Sequence, residues 1–127
     1  MEHKGIGLGG IIDDAYKFVK AKFLDYRQRT TDPWQSKDSR TFYRNQELAS
    51  AEILHYMAKT LPKHSNHETA EATLRQWLKT RFDYYFKQAN NLKLPESKQK
   101  VNQAKVVTYY NVLLYMGETF DALVVKK

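Results

Sequence analysis

YKFVKAKFLDYRQR, residues Tyr16–Arg29, sets five cations and a single acid among tyrosine, phenylalanine, leucine and valine. With Ile12 just upstream, Tyr16, Val19, Phe23 and Tyr26 recur every three or four residues, the spacing of one face of an α-helix. Lys17, Lys20 and Arg27 form a neighbouring stripe, and Lys22 and Arg29 fall on the far flank. A solvated helix mixes the signs of its charges, and a core helix keeps cations out. This stretch does neither. It reads as a helix that is aromatic on one side and cationic on the other.

The same period governs the rest of the chain. Asp13 and Asp14 can cap this first helix, which runs to about Arg29. Asp32-Pro33 then reads as a restart, an N-cap followed by proline at the first helical position. The following segment runs as helix to Leu61, with a possible break near Ser39. Its first half mixes Lys37, Arg40 and Arg44 with Trp34, Phe42 and Tyr43, and its second half carries a core stripe of Leu48, Ala51, Leu54, Ala58 and Leu61. Pro62 ends it. Ser65-Asn66-His67-Glu68 reads as a capping box opening a third helix to about Asn91. Leu74, Leu78, Phe82, Tyr85, Ala89 and Leu92 supply its stripe. Pro95 marks the start of a last helix to about Val124. Within it Val106–Met116 carries no charge, so more than one side of that helix should be enclosed, in part by a second subunit. No strand pattern competes, and no internal repeat is visible.

The expected fold is therefore all-α: an N-terminal basic helix–turn–helix arm (residues 1–44, with a glycine-rich start) followed by a four-helix-type bundle (residues 45–127). At 127 residues and 42% hydrophobic content, one domain with a modest core is expected. The net charge of +7 favours an anionic partner. Residues 15–44 hold eight Lys/Arg against three Asp, whereas residues 45–127 hold twelve against eight acids. No apolar run approaches the roughly 20 residues of a membrane span. The N-terminus lacks a signal-peptide pattern, so a cytoplasmic setting is expected. Cysteine is absent, which removes disulfides and thiolate chemistry.

Chemistry-bearing motifs are sparse. Gly5–Gly10, GIGLGG, fits the letters of a dinucleotide fingerprint but has no preceding strand, so a flexible or closely packed arm is expected instead. Glu52-x-x-His55 has the spacing of di-iron bundles, which need two such motifs and further carboxylates. His64-x-x-His67 has no third ligand. A helix surface and a capping loop account for both pairs. No serine or threonine has a base and orienter beside it. The expectation is a non-enzyme with no cofactor and no metal.

The basic–aromatic arm remains. Long cationic stems can simply cover apolar surface, and a tyrosine-rich apolar side argues against an interfacial membrane helix. The favoured reading is a phosphate-binding surface of Lys17, Lys20, Lys22, Arg27, Arg29, Lys37, Arg40 and Arg44, giving sequence-independent affinity. Tyr16, Phe23 and Tyr26 would hold the arm on its second helix or on a neighbour, and Tyr110 and Tyr115 would sit at a subunit contact.

Tyr16-Lys17-Phe18-Val19-Lys20-Ala21-Lys22-Phe23 looks like the Tyr-x-Lys-Trp-x-x-Lys-Phe type of segment in the arm of rod-virus coat proteins. Together with the tyrosine-rich, small-residue last helix and the lack of cysteine, the chain resembles the major coat proteins of filamentous and rod-shaped DNA viruses of hyperthermophilic archaea. It is more charged and more aromatic than the rod-virus proteins, nearer the filamentous branch, where two paralogous coat proteins pair. The resemblance implies a virion structural protein, present in the host cytoplasm before assembly. Its arm would wrap double-stranded DNA in the A form through backbone contacts, and it would pair with itself or a paralogue in a helical array. A-form duplex is read by shape and backbone. The rival from another class is a small helical subunit of an RNA-guided interference complex, which would bind a nucleic-acid backbone inside a larger particle.

Overall fold

The computed structural model describes residues 10–64 and 66–124, and among them every regular element is helical. Four long helices, α1 (Gly10–Thr30), α2 (Lys37–Thr60), α3 (His67–Ala89) and α4 (Glu96–Tyr115), are followed by the short α5 (Phe120–Val124). α1 packs on α2 and α3 on α4, as two helical hairpins, and α2 against α4 joins them. Short connections force each hairpin antiparallel.

One core runs through all four long helices. Ile12, Ala15 and Val19 of α1 meet Ala49, Ile53 and Met57 of α2, Ala70, Leu74, Leu78, Phe82 and Tyr85 of α3, and Tyr109, Val112 and Leu113 of α4. The boundary expected between residues 44 and 45 falls inside the continuous helix α2. The first half of α1, expected in a separate arm, is part of the bundle, because burial of Ile12, Ala15 and Val19 stabilises it there.

The helix ends differ from expectation for local reasons. α1 starts at Gly10, with Asp13 in its first turn rather than at its cap. Asp32 does not cap α2. Its carboxylate instead accepts the backbone N–H of Trp34 at 2.9 Å, forming an Asx turn, and Ser36 caps α2 by accepting the N–H of Ser39. The capping box expected from Ser65 begins on a residue outside the described ones; the cap of α3 is Asn66, whose side chain accepts from Thr69 N at 2.7 Å. α2 stops at Thr60, and Pro62 sits in a single 3₁₀ turn, Leu61–Lys63.

α4 ends at Tyr115, well short of Val124. Gly117 takes φ +97°, Gly117 N–H donates to Leu114 O, and Glu118 N–H donates to Leu113 O, the two bonds of a Schellman motif.

The stripe expected on α2 is rotated. Its buried positions are Gln46, Glu47, Ala49, Ser50, Ile53 and Met57, with Leu61 just beyond, while Leu48 and Ala58 are exposed. Leucine content pointed to the wrong face because small and polar residues take several of the buried positions. Leu92, expected at the end of the α3 stripe, lies in the α3–α4 turn and is 88% exposed.

Candidate nucleic-acid interface

α1 buries the side that carries Ile12, Ala15, Val19 and Tyr26, which leaves Lys17, Lys20 and Arg27 on a flank away from the core. Helical periodicity likewise gathers Lys37, Arg40 and Arg44 on one outward stripe of α2. Both stripes belong to the first hairpin. Among the described residues, Lys17, Lys20, Arg27, Lys37 and Arg40 have no carboxylate within ion-pair distance. Arg44 stands 3.8 Å from Glu47 Oε1. The intervening turn holds Trp34, 93% exposed.

The remaining two expected phosphate contacts are partly occupied. Arg29 donates to Asp25 at 3.0 Å and lies over the Tyr43 ring, and the Lys22 ammonium sits over Phe18 at 5.7 Å. They lie on the opposite flank of α1 from Lys17, Lys20 and Arg27, so the eight residues do not form one surface.

Cations of the second hairpin contrast with these. Arg75 binds Glu71, Glu118 and the carbonyl of Met116; Lys79 pairs with Glu118, Lys87 with Asp83, and Lys100 with Glu96. Most positive charge on the second hairpin is thus paired, with Lys93 and Lys98 the open ones among the described residues, whereas most of it on the first hairpin is left open.

The expected interface residues divide. Tyr26 is buried, stacks near Tyr43 and pairs with the side chain of Asn111 on α4. Tyr16 and Phe23 are half-buried within this same subunit. Tyr110 packs against Phe82 and Phe120. Tyr115 stays 47% exposed while stacking on Phe18 of α1 at 4.3 Å.

One polar centre escaped sequence reasoning. Glu52, expected on a helix surface beside His55, turns inward while His55 is exposed. Glu52 Oε1 lies 2.9 Å from an Arg81 terminal nitrogen and accepts the hydroxyls of Tyr85 at 3.0 Å and Tyr109 at 2.9 Å. Lys105 Nζ stands 3.7 Å from Oε2. Burial opposes the Glu52 charge, yet Arg81, Tyr109, Lys105 and Tyr85 together hold its carboxyl below its ordinary value. Burial, and then the charge of Glu52, raise both phenols, which stay neutral donors. The signal available in the sequence was the coincidence of Arg81, Tyr85 and Tyr109 on core-facing positions. The cluster ties three helices together. Among the described residues no group of three His, Asp or Glu is placed to hold a metal ion, and no helix is long and apolar enough to cross a membrane.

No protein family, curated protein or solved structure matches the chain. Position by position, the eight-residue segment that resembles a coat-protein arm retains Tyr16, Lys22 and Phe23 of the pattern, with Phe18 and Val19 at its lysine and tryptophan positions. In this fold Tyr16 and Phe23 belong to the bundle rather than to a free arm.

Proposed function

We propose that this protein is a structural, sequence-independent binder of double-stranded DNA, acting as a coat subunit that packs with further copies or a paralogue into a helical filament. The observation that carries the reading is the open cationic surface of the first hairpin. Lys17 and Arg27 on α1 and Lys37 and Arg40 on α2 are exposed, and Lys20 is half-buried, all without carboxylate partners among the described residues, whereas most second-hairpin cations are paired. Unpaired Lys and Arg neutralise phosphates and release counterions. The surface lacks the asparagine and glutamine cluster of a base reader, which favours backbone contacts. Exposed Leu24, Leu48, Val107, Leu114 and Phe120 supply apolar area for packing between subunits.

The test is binding of the full chain to random-sequence duplex DNA across a salt series. A log–log slope of several units is expected if roughly six phosphates are contacted per subunit. The triple variant Lys17→Gln, Lys20→Gln, Arg27→Gln should reduce that slope by about 2 to 3. Salt-insensitive or strongly sequence-selective binding overturns the DNA reading. Negative-stain images of protein with DNA separate the coat reading from a ribonucleoprotein subunit: filaments support the first, discrete particles or a preference for RNA defeat it.

A further inference from the structure

The inner ends of the two hairpins share an offset of 59 residues, from Thr30 to Ala89 at the ends of α1 and α3 and from Lys37 to Glu96 at the starts of α2 and α4. Their turns are built alike. Asp32 accepts Trp34 N–H at 2.9 Å and Asn91 accepts Lys93 N–H at 3.0 Å. Gln35 N–H then donates to Asp32 O at 3.2 Å, and Leu94 N–H to Asn91 O at 3.1 Å.

Side chains obey the same offset. Lys20, Phe23, Tyr26, Leu54, Tyr56 and Met57 reappear as Lys79, Phe82, Tyr85, Leu113, Tyr115 and Met116. Phe18, Val19, Lys22 and Ile53 correspond to Trp77, Leu78, Arg81 and Val112. Burial follows suit: Ala15 with Leu74, Val19 with Leu78, Tyr26 with Tyr85, Ala49 with Thr108, Ile53 with Val112, and Met57 with Met116.

The ring stacks between the hairpins form a reciprocal pair. Phe18 stacks on Tyr115 at 4.3 Å, and its counterpart Trp77 stacks on Tyr56 at 4.0 Å. The cation above each ring also corresponds, Lys22 over Phe18 at 5.7 Å and Arg81 over Trp77 at 5.6 Å. Tyr85 donates to Glu52 on α2, and its counterpart Tyr26 lies near Asn111, the counterpart of Glu52. In the two stacks residue i of one half meets residue j of the other, and j of the first meets i of the second. That is the contact rule of a two-fold interface.

We infer that residues 10–57 and 69–116 are two copies of one helical hairpin, fused in tandem and packed about a pseudo-two-fold axis like the subunits of a homodimer. Positions 52 and 111 are then equivalent, and the ionic tie at Glu52 is a charge present in one copy and replaced by the neutral Asn111 in the other. Divergence includes the cationic surface. Where the first copy has Lys17, Arg27, Lys37, Arg40 and Arg44, the second has Gln76, Phe86, Glu96, Gln99 and Gln103. Resting on the DNA reading above, this makes phosphate binding a specialisation of the first copy and leaves the matching face of the second for contacts of another kind.

Equivalence makes a specific demand. A glutamate at 111 should find Lys22 and Tyr26 as Glu52 finds Arg81 and Tyr85. The test is a double-mutant cycle in the full chain: urea unfolding midpoints of wild type, Lys22→Met, Asn111→Glu and the double variant at neutral pH. The expected result is that Asn111→Glu alone keeps the wild-type midpoint. Lys22→Met should shift it far more in the Asn111→Glu background than in wild type. Additive effects, or unfolding of Asn111→Glu itself, overturn the equivalence. A second variant is independent of any buried charge: Thr31–Ser36 replaced by the sequence of Asn90–Pro95. Cooperative unfolding at a near wild-type midpoint is expected, and loss of a cooperative transition overturns the tandem reading.

Discussion

Arg81 on α3 sets its guanidinium 2.9 Å from Oε1 of Glu52 on α2, with the Tyr85 and Tyr109 hydroxyls on the same oxygen. The carboxylate is about one-third exposed, so the arrangement is neither a rim ion pair nor a sealed one. Its worth lies in satisfying two interior phenols and an arginine whose Nε is buried without a hydrogen-bond partner among the described residues.

Glu52→Gln should destabilise the fold by about 2 kcal/mol at neutral pH, since Arg81 then loses its charged partner. The folded-state pKa of Glu52 is depressed. Its contribution is therefore present above the unfolded carboxylate value and is lost as pH falls through the folded one. Urea unfolding from pH 7 to pH 3 should show the gap between wild type and variant closing below about pH 4. A gap that does not change with pH would mean the tie is not ionic.

Adjacent leucines on α4 should respond in opposite ways. Leu113 is 0% exposed and Leu114 is 48% exposed. Leu113→Asp should cost about 4 kcal/mol or more and unfold the chain. Leu114→Asp should stay within about 0.5 kcal/mol of wild type in the free subunit. If Leu114 lies at a subunit contact, that folded variant should fail to assemble, read by sedimentation beside circular dichroism. Normal assembly of both Leu114→Asp and Tyr115→Glu would remove this face of α4 from the interface.

Gly117 isolates a backbone effect. A β-carbon there would meet nothing within 4 Å, yet φ is +97°. Gly117→Ala should cost about 1 to 2 kcal/mol through conformation alone. A thermal midpoint equal to wild type would show that the Schellman turn relaxes freely.

Hydrogen exchange on the free subunit should protect Ile12–Val19 about as well as Val106–Met116, because both segments contribute fully buried residues to one core. Protection should fall toward the turn-proximal end of the first hairpin, where Trp34, Lys37 and Arg40 are exposed. Uniformly fast exchange across α1 would return it to the status of an arm ordered only by assembly.

Helix content, the order of the elements and the core faces of α1 and α3 were legible in the sequence. A three-to-four spacing of Ile12, Val19 and Tyr26, or of Leu74, Leu78, Phe82 and Tyr85, forces those residues to one side of any helix that forms. The chemistry of open cations was legible too, since Lys17, Lys20 and Arg27 could not share the buried side. What the sequence left open depended on distance in space. Nothing local showed that α1 would be part of the bundle, that Gln46 and Ser50 rather than Leu48 would face inward, or that Glu52 would meet Arg81, Tyr85 and Tyr109. Those outcomes depend on which faces meet when the two hairpins pack together, and contacts between residues far apart in sequence decide that. The repeat was hidden for a related reason. Few positions are identical between its two copies, so the likeness is visible only once the helices are paired.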